Sequence, residues 1–364
     1  MKRLIFLVFS TALLVFAASA AAGGGSNVVG AAYTISNAAG GNALVVYDRS
    51  ADGSLTPAGS VPAGGLGTGA GLASQGAVTL TDHGQTVLAV NPGSNSVAAF
   101  AARHDGPELL NTAPSGGIRP VSVAVHKHLV YVLNKNNAAL ATVSGFTLDQ
   151  DGIAPIAGST RFLHAGATDA GQVRFSPDGK ELVVTGRSSN RIDTFIVDTD
   201  GLLSGLRSFD VAPGATPFGF DFDNKGHVLV SLAGVGGSSG AASYDIAQDG
   251  SISTITAPVE TGQRAACWLV ASKDGRFAFV ANAASSSVST FAVSPAGELT
   301  FLRAVAIDGM TALDLAQSHD GKYLYVLAAG SHGIVTFEVG ADGTLTHVAT
   351  EGNVPVAAAG IAVR

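Results

Sequence analysis

A glycine followed 16 residues later by a phenylalanine recurs through the chain, and this spacing restricts its fold more than any other feature. The residues between each pair form a short apolar run, a polar loop and a second apolar run. Two looser copies occur: residues 226–244 contain two additional residues, and the copy ending at Phe146 lacks the glycine. Repeats of this kind indicate a solenoid, a propeller or another array of similar modules. The strict pairs are Gly84 and Phe100, Gly179 and Phe195, Gly275 and Phe291, and Gly321 and Phe337.

The apolar runs within each repeat are typical of β-strands. Residues 181–186 and 277–282, for example, are short, rich in β-branched or aromatic side chains, and bounded by Asp-Gly turns or by Ser, Asn and Gly. The chain has 47 glycines, which disfavour helices and suit tight turns. Each repeat therefore predicts a four-stranded antiparallel sheet, and the chain is predicted to be all-β.

The two ends of the chain predict how the sheets are arranged. Six internal segments begin a sheet, and a seventh, AAGIAVR at residues 358–364, has no strands after it. Residues 27–65 supply three strands that lack a first one. A shared sheet would complete both ends and remove a free edge. We therefore predict a seven-bladed β-propeller whose first blade combines residues 27–65 with 358–364; an open stack of sheets would need no such exchange.

This fold also predicts two distinct faces. The loops between the second and third strands should share one face with the links between blades. These loops lie at residues 91–96, 134–139, 187–190 and 282–287. The Asp-Gly turns should lie on the opposite face. Binding or catalytic groups are expected on the first face, at the mouth of the central channel.

The first 22 residues read as an export signal, which leaves residues 23–364 for the propeller. Lys2 and Arg3 precede an apolar stretch from Leu4 to Phe16, and Ala18-Ser19-Ala20 suits cleavage. An uncleaved anchor is the alternative. We expect a secreted or periplasmic protein without membrane contact after cleavage.

Composition excludes several function classes. Without Lys2 and Arg3, 18 basic residues face 27 acidic ones, a net charge of −9, and no basic run is present. This argues against nucleic acid as a partner. Cys267 is the only cysteine, so no intrachain disulfide can form. Because no GxSxG, HExxH or paired CxxC motif occurs, we expect no metal or cofactor.

The repeated phrases resemble one known family. The segments VSVAVHKHLVYVLN and QVRFSPDGKELVVT and the spaced SPDG-type turns are similar to the seven-bladed lactonases, which include propeller 6-phosphogluconolactonases and carboxymuconate-cyclising enzymes. The resemblance implies opening or closing of a lactone on an anionic, carboxylate-bearing substrate without a required metal. Family members tend to carry His or Arg where a link meets a first strand. Arg119 keeps that charge here, and the nearest histidine is His164.

Five charged residues fall in predicted links and form the candidate site: Arg119, His164, Asp169, Glu260 and Arg264. His164 or Asp169 could activate water, and the two arginines could hold a substrate carboxylate through paired hydrogen bonds. Solvated loop charges and salt bridges between blades are the alternative.

Three further residues are candidates for substrate contact: Gln75, Gln172 and Cys267. The glutamines could instead cap strand ends or bind channel water. Cys267 fits a buried thiol better than a nucleophile, since no cysteine-enzyme signature surrounds it.

A second function remains open from the sequence. Asn and Ser dominate the predicted loops, and their uncharged hydrogen-bonding groups suit a non-catalytic secreted propeller that binds a protein or glycan. The asparagines concerned are Asn37, Asn91, Asn95, Asn134, Asn136, Asn190 and Asn282.

Overall fold

The computed structural model describes residues 28–234, 239–307 and 311–364. Within them the chain forms 29 β-strands and no helix longer than three residues. The strands assemble into seven antiparallel sheets, each built from four strands, with one fourth strand broken into two. The prediction of an all-β, seven-bladed propeller is confirmed. The predicted export signal lies outside the described residues.

The strands are numbered in chain order and grouped by blade. Blade 1 contains β1 (Val28–Ile35), β2 (Ala43–Ser50) and β3 (Leu55–Pro62). Blade 2 contains β4 (Val78–Leu80), β5 (Thr86–Asn91), β6 (Ser96–Arg103) and β7 (Gly106–Pro114). Blade 3 contains β8 (Pro120–His126), β9 (Leu129–Asn134), β10 (Thr142–Asp149), and β11 (Gly152–Pro155) with β12 (Arg161–Phe162) as its divided outer strand. Blade 4 contains β13 (Ala170–Phe175), β14 (Glu181–Gly186), β15 (Arg191–Val197) and β16 (Leu203–Asp210).

The remaining blades follow the same order from the innermost strand outward. Blade 5 contains β17 (Ala215–Phe222), β18 (Val228–Gly234), β19 (Ser239–Ile246) and β20 (Ile252–Glu260). Blade 6 contains β21 (Ala266–Ala271), β22 (Phe277–Asn282), β23 (Ser287–Val293) and β24 (Leu299–Ala306). Blade 7 contains β25 (Ala312–Gln317), β26 (Tyr323–Ala328), β27 (Gly333–Val339) and β28 (Leu345–Glu351), and β29 (Ala359–Val363) returns to blade 1.

The C-terminal strand closes the ring as predicted. β29 pairs antiparallel with β1, placing Ala32 opposite Val363 and Ile35 opposite Ala359. The Arg364 guanidinium continues into blade 2, where it donates to the carbonyl oxygens of Ala102 at 2.7 Å and Arg103 at 3.0 Å. The last residues therefore supply the innermost strand of blade 1 and also fasten it to blade 2.

The glycine and the phenylalanine of each repeat have separate structural roles. The glycines of the strict repeats have positive φ, for example 77° at Gly179, which favours glycine in these turns. The paired phenylalanines are buried between blades, with Phe195 only 2% exposed. Ser176 donates to Asp178 within the same turn at 2.9 Å, which fixes the SPDG geometry. The repeat therefore encodes one turn and one core position in each blade.

Contacts between segments define the two faces. Links bind the loops between second and third strands: the amide N–H of Arg119 donates to Asn95 Oδ1 and that of Arg264 to Ser285 Oγ, both at 2.8 Å. We call this side the link face. Asp-Gly turns contact one another, as where Asn224 donates to the Lys273 carbonyl at 3.2 Å. We call that side the turn face.

The described part of the chain contains no helix with the length and hydropathy needed to traverse a bilayer.

Deleting residues 358–364 should lower the free energy of unfolding by several kcal/mol, because the deletion removes a buried strand and its ladder bonds. Urea unfolding of the intact and truncated proteins measures the loss. Arg364→Ala, which keeps β29, is the control and should show a smaller loss. Equal unfolding midpoints for the truncated and intact proteins would contradict this account of ring closure.

Candidate functional site

The link between blades 1 and 2 crosses the centre of the ring. We call residues 72–76 the plug. The Gln75 side chain donates to the Leu269 carbonyl at 2.7 Å and accepts from the Leu269 N–H at 3.0 Å, and the Gln75 N–H donates to the Gly171 carbonyl at 3.0 Å. Gln75 is buried and its amide is paired with the protein, so it stabilises the plug. The innermost strand of blade 2, β4, has only three residues because the preceding chain spans the channel.

Other innermost strands also contact the plug. Ser74 Oγ donates to the Val121 carbonyl in blade 3, and Trp268 Nε1 in blade 6 donates to the Ser74 carbonyl, both at 2.8 Å. The N–H of Gly76 lies 3.4 Å from Asp314 Oδ2 in blade 7. The channel is therefore occupied at this level, and the plug forms a floor beneath the link face.

Two cations and a carboxylate lie directly on this floor. Lys135 Nζ is 2.6 Å from Asp169 Oδ1, and Arg187 Nη1 is 3.1 Å from Asp169 Oδ2. Lys135 is buried, and burial lowers the pKa of its amine to about 8 although Asp169 opposes the shift. Asp169 is 38% exposed and is the most exposed of the three side chains.

Arg119 differs from every other arginine in the described residues, because it alone has no side-chain hydrogen bond or ion pair with another described residue. Its Nε is buried without a partner. Its backbone has φ of 57° and is held by the bond to Asn95. The side chain lines a groove of about 380 Å³ that Thr68, Asn95, Ile118 and Asn137 also line. Arg119 therefore has unused hydrogen-bond donors beside an open cavity.

The imidazole of His164 is buried and paired with a carboxylate of blade 4, so it does not lie open at the channel mouth as predicted. Its Nδ1 lies 2.6 and 2.8 Å from the two carboxylate oxygens of Asp193, which also accepts a hydrogen bond from Ser208 at 2.6 Å. Asp193 belongs to β15, the third strand of blade 4. His164 is 8% exposed, and its Nε2 is buried without a partner among the described residues. The pair joins the link before blade 4 to the third strand of that blade, and neither residue has a hydrogen bond to Arg119 or Asp169.

The other predicted residues are dispersed. Gln172 accepts from the Phe220 N–H at 2.7 Å, which joins blades 4 and 5. Arg264 is exposed and donates to the Ala284 carbonyl of its own blade at 3.3 Å. The placement of Glu260 in a link was wrong: it is the exposed last residue of β20, an outermost strand. Burial raises the pKa of the Cys267 thiol to about 11, which keeps it protonated and poorly nucleophilic at neutral pH.

Sequence reasoning missed Lys135 and Arg187. Each immediately follows the second strand of its blade, after β9 and β14. The corresponding residues in blades 2, 6 and 7 are Pro92, Ala283 and Ala329. Comparison of this one position among the repeats would have shown the two cations, because a charge there departs from an otherwise uncharged pattern.

The loop asparagines are largely structural. Asn91 donates to the Ala63 carbonyl at 2.9 Å and Asn134 to the Ser115 carbonyl at 3.1 Å. Four of the seven are completely buried: Asn37, Asn91, Asn134 and Asn282. These four amides therefore fix loops within the protein and do not face a partner.

Among the described residues, the link face has an excess of positive charge although the whole chain has a net charge of −7. In the described residues, the links and the loops between second and third strands carry four cations and one carboxylate: Arg119, Lys135, Arg187 and Arg264 against Asp169. Such a local excess attracts anions.

Comparison with known proteins finds a likeness to the lactonases. The family model described as "Lactonase, 7-bladed beta-propeller" matches residues 238–360. The matched residues make up about a third of the chain, which therefore resembles this family. No curated protein sequence matches this chain.

Solved structures with low sequence identity share the fold of this chain. A candidate 6-phosphogluconolactonase from Bacteroides uniformis is 22% identical with a TM-score of 0.75, and the match covers 92% of this chain and 99% of that one. The periplasmic gluconolactonase of Pseudomonas aeruginosa is 17% identical with a TM-score of 0.72, covering 91% and 99% of the two chains. At these identities the likeness establishes the architecture.

Asp314 is a buried carboxyl group that contacts the plug at Gly76. It accepts from the Leu315 N–H at 2.9 Å, and burial raises its pKa from 3.8 to about 7 despite hydrogen bonds from backbone N–H groups. The folded protein therefore retains a proton between about pH 4 and pH 7 that the unfolded chain has lost. Its contribution to stability must fall as pH rises through this interval.

Asp314→Asn should remove this ionisation penalty. At pH 8 the variant should be more stable than the wild type by at most roughly 4 kcal/mol, and the difference should shrink towards pH 4. Urea unfolding at both pH values measures it, with the exposed turn-face variant Asp82→Asn as the control. If Asp314→Asn and the wild type instead differed in free energy of unfolding by the same amount at both pH values, that result would contradict the raised pKa of Asp314.

Proposed function

We propose that the chain is an exported lactonase-like hydrolase that opens a small anionic lactone on the link face. The observation that carries the proposal is the unpaired guanidinium of Arg119 beside a groove of about 380 Å³. The fold and the partial family match support lactone chemistry.

Arg119 is suited to bind the anionic group of the substrate. A guanidinium presents donors in a planar fork that matches a carboxylate, and its hydrogen bonds are stronger when water is excluded. A groove of this size lies within the range of small-molecule sites. Asn95 and Asn137 line the same groove and supply neutral hydrogen-bonding groups for the remainder of the ligand.

Asp169 is the residue best placed to act on water. Lys135 Nζ and Arg187 Nη1 lie 2.6 and 3.1 Å from its two carboxylate oxygens and hold the carboxylate in place. In the proposed reaction, water attacks the lactone carbonyl while Asp169 accepts its proton, and negative charge develops on the carbonyl oxygen. Nearby guanidinium groups stabilise that charge. The ring C–O bond then breaks, and the leaving alkoxide takes the proton to give a hydroxy acid.

Export to the periplasm or the extracellular space forms part of the proposal. It is supported by the basic, apolar and small-residue pattern of residues 1–22 and by the likeness to a periplasmic gluconolactonase. The alternative, a non-catalytic secreted propeller that binds a protein or glycan, receives less support because four loop asparagines are buried and internally bonded.

Arg119→Ala should lower kcat/KM on the best lactone by roughly 30- to 1,000-fold, equivalent to about 2–4 kcal/mol of transition-state binding. Arg119→Lys should also lose activity, because a point charge cannot replace the planar fork. The substrate panel contains D-glucono-δ-lactone, 6-phosphoglucono-δ-lactone and a carboxylated lactone, and acid release is followed at constant pH. The panel is applied to the purified protein beginning at residue 23.

Arg264→Ala is the matched control, since this guanidinium is exposed and its one hydrogen bond is to the Ala284 carbonyl of the neighbouring loop in blade 6. Both alanine variants should unfold at nearly the wild-type urea concentration, because Arg119 has no side-chain bond to lose. Unchanged kcat/KM in Arg119→Ala would exclude its role. Absence of turnover on every lactone would favour the binding function instead.

A further inference from the structure

The plug is held by side chains from different blades at successive carbonyl groups. Lys135 Nζ donates to the carbonyls of Leu72 and Ala73, both at 3.1 Å. Arg187 Nη1 donates to the Ala73 carbonyl at 2.9 Å. With the Trp268 bond to the Ser74 carbonyl, donors from blades 3, 4 and 6 meet on three consecutive residues. A segment that only connected two blades would not need these bonds.

The plug also has a backbone conformation that these bonds must maintain. Ala73 has φ of 49°, in the left-handed region that residues with a side chain rarely adopt. Such a conformation costs of order 1–3 kcal/mol and persists where surrounding contacts impose it. Ala73 is the residue whose carbonyl accepts from both Lys135 and Arg187. Ala73 is therefore both the strained residue of the plug and the residue whose carbonyl accepts two cationic donors.

The ammonium group of Lys135 has three protein partners. It donates to the two plug carbonyls and forms an ion pair with Asp169 Oδ1, which is 2.6 Å away. Lys135 is 7% exposed and has little surface left for a ligand. The side chain therefore joins the plug to the carboxylate that the proposed reaction uses, and does not itself present a charge to the groove.

We propose that Lys135 is a positioning residue that holds the plug across the channel and thereby fixes Asp169 and Arg187 above a closed floor. The plug assignment stands independently of any reaction, whereas the positioning of Asp169 for catalysis rests on the proposed function. A ligand then reaches the site only from the link face, and release of the plug would open the centre of the ring.

The chain contains two unique reporters of this assembly. Trp268 is the only tryptophan, and its indole N–H is bonded to the plug. Cys267 is the only cysteine, is buried, and lies close enough to Arg187 for that charge to act on the thiol. Release of the plug should expose the indole to water and the thiol to a maleimide reagent.

The test compares the wild type with Lys135→Met, in the purified protein without ligand. We expect Cys267 in the folded variant to react with N-ethylmaleimide at pH 8 at least tenfold faster, and Trp268 emission to shift to longer wavelength. Lys225→Met, at an exposed lysine of the turn face, is the control and should leave both signals unchanged. A folded Lys135→Met protein with the wild-type labelling rate and emission would overturn the proposal.

A second variant decides the question if Lys135→Met does not fold. Arg187→Met removes one of the two bonds to the Ala73 carbonyl and leaves Lys135 in place, so both signals should change in the same direction by a smaller amount. No change in either signal would again overturn the proposal. Because neither signal requires a lactone, failure of the plug assignment is distinguishable from failure of the proposed hydrolase activity.

Where turnover is measurable, Lys135→Met should lower kcat more than it raises KM. The substitution removes the side chain that orders Asp169 but leaves the Arg119 groove intact.

Discussion

Pairing between β29 and β1 is the constraint on which the rest of the molecule depends. A β-sheet blade exposes unpaired backbone groups at its edges, and a ring of blades has no ends only if one blade draws strands from both termini. Ala32 and Val363 are brought together for this reason. Once the ring is closed, the positions of all seven links relative to the channel are fixed, and the residues of distant links can share one site.

Closure creates a central channel, and this protein fills it with its own backbone. The plug lacks a neighbouring strand, so its polar groups must find other partners. The Gln75 amide pairs with both backbone groups of Leu269, and cationic or indole donors satisfy three carbonyls. These interactions bury Asp314 and place Lys135 beside Asp169. The floor of the site and its electrostatics therefore have the same structural origin.

The cations of the candidate site fall into two groups, those paired within the protein and one that is unpaired. Lys135 and Arg187 are committed to the plug and to Asp169, whereas Arg119 has an unpaired side chain on the groove. An unused buried donor is unfavourable in the free protein and becomes favourable when an anion accepts its hydrogen bond. This difference separates Lys135 and Arg187, which hold the plug, from Arg119, which we propose binds an anion.

The sequence by itself determined the strands, the turns, the blade number and the exchange between the termini, because these depend on local periodicity and on a strand such as 358–364 that lacks neighbours. It also placed Arg119 and Asp169 in links between blades, where the structure has them. Only the tertiary structure showed which residues these side chains bond to. Gln75 meets Leu269 across 194 residues, and His164 pairs with Asp193 inside blade 4. Such contacts depend on where ring closure places each link and how far each side chain reaches, and the spacing of residues along the chain contains neither quantity.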